Sequence, residues 1–86
     1  MYIHLGGDVL IKKDRIVAII DLEMTKVGQI NQIFLNNMKN RYKNIRYICD
    51  RGREKTLIIT INDLFFSPIS SLTLFKRSFM EIENDK

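Results

Sequence analysis

The run Leu57-Ile58-Ile59-Thr60-Ile61 is one of the most apolar stretches of the chain, and it limits the folds open to it. Most of its residues are β-branched and it is too short for a typical helix, so residues 57–61 read as a central strand. Just before it, residues 50–55 read Asp-Arg-Gly-Arg-Glu-Lys. This is a cationic turn in which Gly52 can take the positive φ that a tight connection requires. A buried strand with such a turn at its start presents charge on a rigid support.

The remaining elements follow in short steps. Ile3 and Leu5 alternate with polar neighbours, Gly6-Gly7-Asp8 signals a turn, and residues 9–11 resume the apolar pattern, which predicts a hairpin. After a second polar turn, Lys12-Lys13-Asp14, residues 16–20 are apolar without a break and read as a strand covered on both faces. Thr25 is placed to cap a helix whose apolar stripe is Val27, Ile30, Phe34 and Met38, with Ile33 beside it and an end near residues 40–42. Residues 45–49 alternate as a strand with Ile45, Tyr47 and Cys49 on one side, and residues 64–66 form a last short strand stopped by Pro68. Ser70 or Ser71 can cap a final helix containing Leu72, Leu74 and Phe75.

The order β-β-β-α-β-β-β-α predicts an α+β domain with a mostly antiparallel sheet and two helices. The 86 residues make one domain over residues 1–80 with a polar tail over 81–86. Several strands are apolar on both faces, more than two helices are expected to cover in so small a chain. A neighbouring subunit is the expected remedy.

The net charge of +4 is unevenly spread. Cations and carboxylates balance over residues 1–38, and residues 56–86 carry one excess negative charge. Residues 39–55 hold Lys39, Arg41, Lys43, Arg46, Arg51, Arg53 and Lys55 against Asp50 and Glu54. Clustering of this kind favours an anionic partner such as nucleic acid; a solvated basic loop is the plainer reading. The helix polar residues Asn31, Gln32, Asn36 and Asn37 fit a water-facing side better than a reader of base edges. Tyr42 and Tyr47 lie among cations but fit packing better than stacking on bases.

Little points to catalysis. His4, the sole histidine, lacks the Cys or carboxylate spacing of a metal site. Cys49 reads as a small buried side chain, and no partnered base marks it as a nucleophile. No enzyme activity, metal, cofactor or small-molecule substrate is expected. A lone cysteine, with no apolar stretch near the roughly 18 residues of a membrane span, leads to the expectation of a cytoplasmic protein without membrane contact.

Met1-Tyr2-Ile3-His4-Leu5-Gly6 and Asp14-Arg15-Ile16-Val17-Ala18-Ile19, followed by Gly52-Arg53, the apolar strand and Phe66-Ser67-Pro68-Ile69-Ser70-Ser71, together span nearly the whole chain. In this order and spacing they resemble the bacterial extracellular matrix regulatory proteins, the RemA/RemB family, nearest its RemB branch. The resemblance implies a DNA-binding transcription regulator of biofilm-matrix genes, assembled as a homo-oligomeric ring of about seven or eight subunits. It implies DNA contact through Arg15 and through Arg53, the arginine after the family's glycine. The family's next residue is basic; here Glu54 stands there, with Lys55 following.

The combined expectation is an oligomer that grips the backbone of double-stranded DNA through repeated cations. Arg15 and Arg53 lead, supported by Arg51, Lys55, Lys12 and Lys13. A protein-interaction or scaffold module without nucleic-acid binding is the alternative, and RNA binding a lesser one.

Overall fold

The computed structural model describes residues 2–25 and 29–84, with side chains outside residues 24–31 and 78–84. Six strands and three helices follow in order: β1 (Tyr2–Gly6), β2 (Val9–Lys12), a 3₁₀ turn (Lys13–Arg15), β3 (Ile16–Asp21), α1 (Leu22–Thr25), α2 (Gln29–Arg41), β4 (Asn44–Tyr47), β5 (Thr56–Thr60), β6 (Asp63–Ser67) and α3 (Ser71–Asn84). The predicted α+β architecture is present. The short α1 is added to it, and α3 runs through residues 81–84, which were expected to belong to a tail.

The predicted hairpin β1–β2 forms a sheet of its own. The other four strands order as β3-β5-β6-β4. Their pairs are antiparallel except β4 with β6, which is parallel. The reason is competition for β5. Its five residues are all buried, β3 takes one of its edges, and the two-residue turn to β6 delivers that strand to the other. The chain from β4 must then pass the end of β6 to reach β5. The cationic turn therefore does not join neighbouring strands.

Alternation divides the core in two. Ile58 and Phe65 point to one side of the sheet, where Ile3, Leu5 and Ile11 of the hairpin and Leu74 of α3 meet them. Leu57, Ile59, Leu64 and Phe66 point to the other, where Leu22, Leu35, Met38 and Tyr42 meet them. The domain is thus three layers: hairpin with α3, sheet, α2. The chain covers both faces of its central strands unaided, because the hairpin serves as a cover alongside the helices. Two-sided apolar strands therefore give no reason to require a neighbouring subunit.

Polar side chains join the layers. Ser67 is fully buried; its hydroxyl donates to the Leu5 carbonyl at 2.5 Å and accepts from the Ile69 N–H at 3.0 Å. Thr56 Oγ1 donates to the Ile69 carbonyl at 2.7 Å. Ser70 caps α3 by accepting from the Thr73 N–H at 3.2 Å, as predicted. Gly6 takes φ +112°, and a Cβ there would lie 3.4 Å from Ile48 and Pro68 side chains.

Four details differ from expectation. Thr60 ends β5 one residue early: its Oγ1 accepts from the Asp63 N–H at 2.9 Å and donates to the Asp63 carbonyl at 3.2 Å. That closed turn leaves Ile61 outside the strand and 71 % exposed. In β3, Val17 is an extra residue between the pairs Ile16–Thr60 and Ala18–Ile59, and this bulge turns it outward to 64 % exposure. In α2 the inward stripe is Leu35 and Met38, continued by Tyr42 just past its end, while Ile33 and Phe34 are exposed. Several stripes at spacings of three and four were open to this helix, and contact with the sheet selected one. Residues 22–25, expected to lie between strand and helix, form the short α1, capped by Asp21 Oδ1 accepting from the Glu23 N–H at 2.9 Å. The Val27 assignment lies outside the described residues, as do the side chains of Ile30 and of Thr25, the expected cap of α2.

Candidate nucleic-acid interface

Six side chains were singled out from the sequence, and the topology sorts them into two groups. Lys12 ends β2, and Lys13 and Arg15 bound the 3₁₀ turn that leads into β3. Lys12 and Arg15 are exposed; Lys13 is half-buried. Arg51, Arg53 and Lys55 lie in the connection between β4 and β5, with Arg51, Arg53 and Lys55 all exposed. Because Ile16 pairs with Thr60 and Asp21 with Thr56, Arg15 and the Arg53 turn stand at opposite ends of the β3–β5 pair. At roughly 3.3 Å per residue their separation is on the order of 20 Å, too far for both to hold one phosphate.

The Arg53 turn is held by its own backbone and by a carboxylate. The Arg53 N–H donates to the Asp50 carbonyl at 3.1 Å, and the Gly52 N–H donates to Glu54 Oε1 at 2.5 Å. Glu54 is thus engaged with the turn that presents Arg53. Lys55 anchors the turn to the sheet: its N–H donates to the Ser67 carbonyl at 2.8 Å and its carbonyl accepts from the Leu22 N–H at 2.9 Å. Gly52 takes φ +97°, as expected of it. An alanine Cβ there would meet nothing within 4 Å, so Gly52→Ala costs backbone strain alone. The expected destabilisation is about 1–2 kcal/mol in a urea melt, the cost of a left-handed L-residue. An unchanged midpoint would show that the turn relaxes into another conformation.

Folding alters the charge seen in the sequence. Around the turn, Asp50 and Glu54 are joined by Asp21 and Glu23 at the end of β3, and among the described side chains these four carboxylates offset Arg51, Arg53, Lys55 and, over the Tyr47 ring, Lys39. Glu23, Arg53, Glu54 and Lys55 share the wall of one open cleft of about 450 Å³. Arg51 is further committed, its guanidinium carbon 4.8 Å from the centre of the Tyr47 ring. That ring stacks on Phe66 with centroids 4.5 Å apart and planes 9° from parallel. Lys39 Nζ lies 5.4 Å from the Phe66 centroid. Tyr47 is therefore a packing residue, as its strand position suggested.

Nearby Cys49 is half-buried rather than buried, because β4 ends at Tyr47 and the alternation stops with it. Burial pushes its thiol pKa up, the carboxylates of Glu54 and Asp50 push it further, and Arg53 opposes them. A raised thiol pKa argues against an activated nucleophile. His4 Nε2 lies 2.6 Å from the Gly7 carbonyl, and its own carbonyl accepts from Arg77 Nη1 at 2.7 Å. These bonds tie the hairpin to its own turn and to helix α3.

Both cationic groups, and the three layers that position them, lie within one family pattern. A family model described as RemA-like, extracellular matrix regulatory protein A-like, matches residues 2–78. The chain belongs to this family. It is 34 % identical over 85 residues to the extracellular matrix regulatory protein B of Bacillus subtilis strain 168, covering 99 % of each chain. The family suggests a regulatory role. No described helix is long and apolar enough to cross a membrane.

Sequence reasoning passed over two residues, Arg41 and Lys43, as site candidates. Arg41 ends α2 and Lys43 precedes β4, whose first residue Asn44 pairs with Asp63. Asp63 opens β6 beside the turn from Thr60, and Thr60 pairs with Ile16. Both cations therefore share Arg15's end of the sheet. Their signal was present, since they belong to the basic segment 39–55. What was hidden is that β4 parts Arg41 and Lys43 from Arg51, Arg53 and Lys55, carrying them to opposite ends of the sheet.

Proposed function

We propose that this protein is a DNA-binding transcription regulator that holds the duplex backbone through arginines repeated around a homo-oligomer. The observation that carries the reading is Arg15: an exposed guanidinium on a short 3₁₀ turn, braced by the hairpin on one side and the edge strand β3 on the other. The backbone that carries this cation is set before binding, so only the side chain is left to order, which favours phosphate contact. Membership of a family of matrix regulators supports the same conclusion.

One subunit offers few phosphate contacts, and affinity resting on few contacts falls below use at cellular salt. Repetition around an oligomer makes later contacts intramolecular and raises avidity. The edge strand β3 with exposed Val17, together with exposed Leu72 and Phe75 on α3, supplies apolar surface for such assembly. Arg53 would contribute less than Arg15 because carboxylates surround it. A protein-interaction module is the second reading, favoured by that mixed-charge cleft around Arg53, which suits a polar protein surface better than a phosphate row.

Fluorescence anisotropy with duplex DNA, single strands and RNA across a salt series tests the proposal, with native mass spectrometry for subunit number. The expected result is duplex binding whose log–log salt slope is several times the value of about −0.9 for one phosphate. A strictly monomeric protein with no duplex affinity near roughly 0.15 M salt would reject it in favour of the protein-interaction reading.

A further inference from the structure

We infer that Arg41 and Lys43 form a second phosphate-binding site, set on the same end of the sheet as Arg15 and acting with it on one duplex. The inference rests on the DNA-binding reading and names residues that reading did not include.

Three observations carry it. The first is placement. The register Ile16–Thr60, the short turn to Asp63 and the pair Asn44–Asp63 bring the start of β3, the β5–β6 turn and the start of β4 to one end of the sheet. The second is charge. Lys12, Lys13, Arg15, Arg41 and Lys43 gather there against Asp14 and Asp63 among the described side chains, whereas four carboxylates offset the cations at the Arg53 end. The sequence put the basic emphasis on the Gly52 turn; the fold moves the positive excess to the opposite end.

The third is shape. Arg41, Tyr42, Lys43, Asn44, Ile61 and Asn62 line an open cleft of about 430 Å³ between the end of α2 and the β5–β6 turn. Two cations and two side-chain amides there offer donors suited to phosphate oxygens. Tyr42 continues the helical bonding, its N–H donating to the Met38 carbonyl at 3.1 Å, so the end of α2 holds Arg41 in place.

The spacing suits a duplex. β3 and β4 are the outer strands of four, three strand intervals apart, or roughly 14 Å. Phosphate rows bordering a major groove about 12 Å wide are separated by a comparable distance, within the reach of flexible arginine and lysine side chains. Arg15 on one edge and the Arg41–Lys43 pair on the other would each meet one row. Such contacts position the protein and carry no base sequence.

The test is duplex anisotropy over a salt series with Arg41→Gln/Lys43→Gln, the charge-conserving Arg41→Lys/Lys43→Arg, and Arg15→Ala. The Gln pair is expected to weaken binding and to flatten the log–log slope by up to about 1.8 per contacting subunit. The swapped pair should retain the slope. If the Gln pair keeps the original slope while Arg15→Ala flattens it, the second site is refuted and the DNA-binding reading stands. A cation role confined to the dipole of α2 would show the same refuting pattern, with a lowered melting temperature and an unaltered slope. Equal weakening in the swapped and Gln pairs would also refute it, since charge would not be the acting property. Failure of the unaltered protein to bind duplex DNA would overturn both.

Discussion

Arg15→Ala is expected to weaken duplex DNA binding by at least about tenfold near 0.15 M salt, because a substitution in a homo-oligomer removes the same phosphate bond from every subunit on the duplex. The log–log salt slope should flatten by about 0.9 for each subunit that touches DNA. Arg53→Ala should do less. Arg53 stands among Asp50, Glu54, Asp21 and Glu23, whose carboxylates repel the same phosphates it attracts. Glu54→Gln should therefore strengthen binding, since it removes one of those charges while leaving an amide oxygen able to accept from the Gly52 N–H. Anisotropy titrations at four or five salt concentrations would rank the three variants. Equal weakening by Arg15→Ala and Arg53→Ala would contradict the charge distribution described for the two ends of the sheet.

Ser67→Ala is expected to cost about 1–3 kcal/mol, a large share of the stability of a domain this size, because the Leu5 carbonyl loses its partner at a buried position and the Ile69 N–H at a part-buried one. The hydroxyl serves the Leu5 carbonyl of the hairpin and the Ile69 N–H ahead of α3, and it is fully buried. Urea melts followed by circular dichroism would measure the change. Ser67→Cys, which keeps a weaker donor of larger size, should fall between the two. A cost below about 0.5 kcal/mol, the lower limit for one ordinary hydrogen bond, would mean that the hairpin is not held through this residue. Since the hairpin braces the turn bearing Arg15, the same variant should also weaken DNA binding at temperatures where β1–β2 detaches.

Several elements were legible in the chain itself. The β-branched run 57–61, the Gly6-Gly7-Asp8 turn, Gly52 and the Ser70 cap are local signals, each set by backbone preference within a few residues. They yielded the element order and the α+β class. The parallel pairing of β4 was not legible, because strand order depends on which strands win the edges of β5. Nor was the inward stripe of α2: spacings of three and four fit both Ile30, Phe34 and Met38 and the observed Leu35, Met38 and Tyr42. Arg15 and Arg53 were named as candidates, but their distance apart and the carboxylates around one of them were not visible.

By itself the sequence determined where strands, turns and caps form, and that cations concentrate between residues 39 and 55. Hydrophobic period and turn chemistry act over neighbouring residues, so they survive in one dimension. Only the tertiary structure decided which charges stand together. Electrostatic interaction depends on distance through space, and one strand of four residues, β4, is enough to part Lys43 from Arg51 while the sheet brings Lys43 round to the end that holds Arg15.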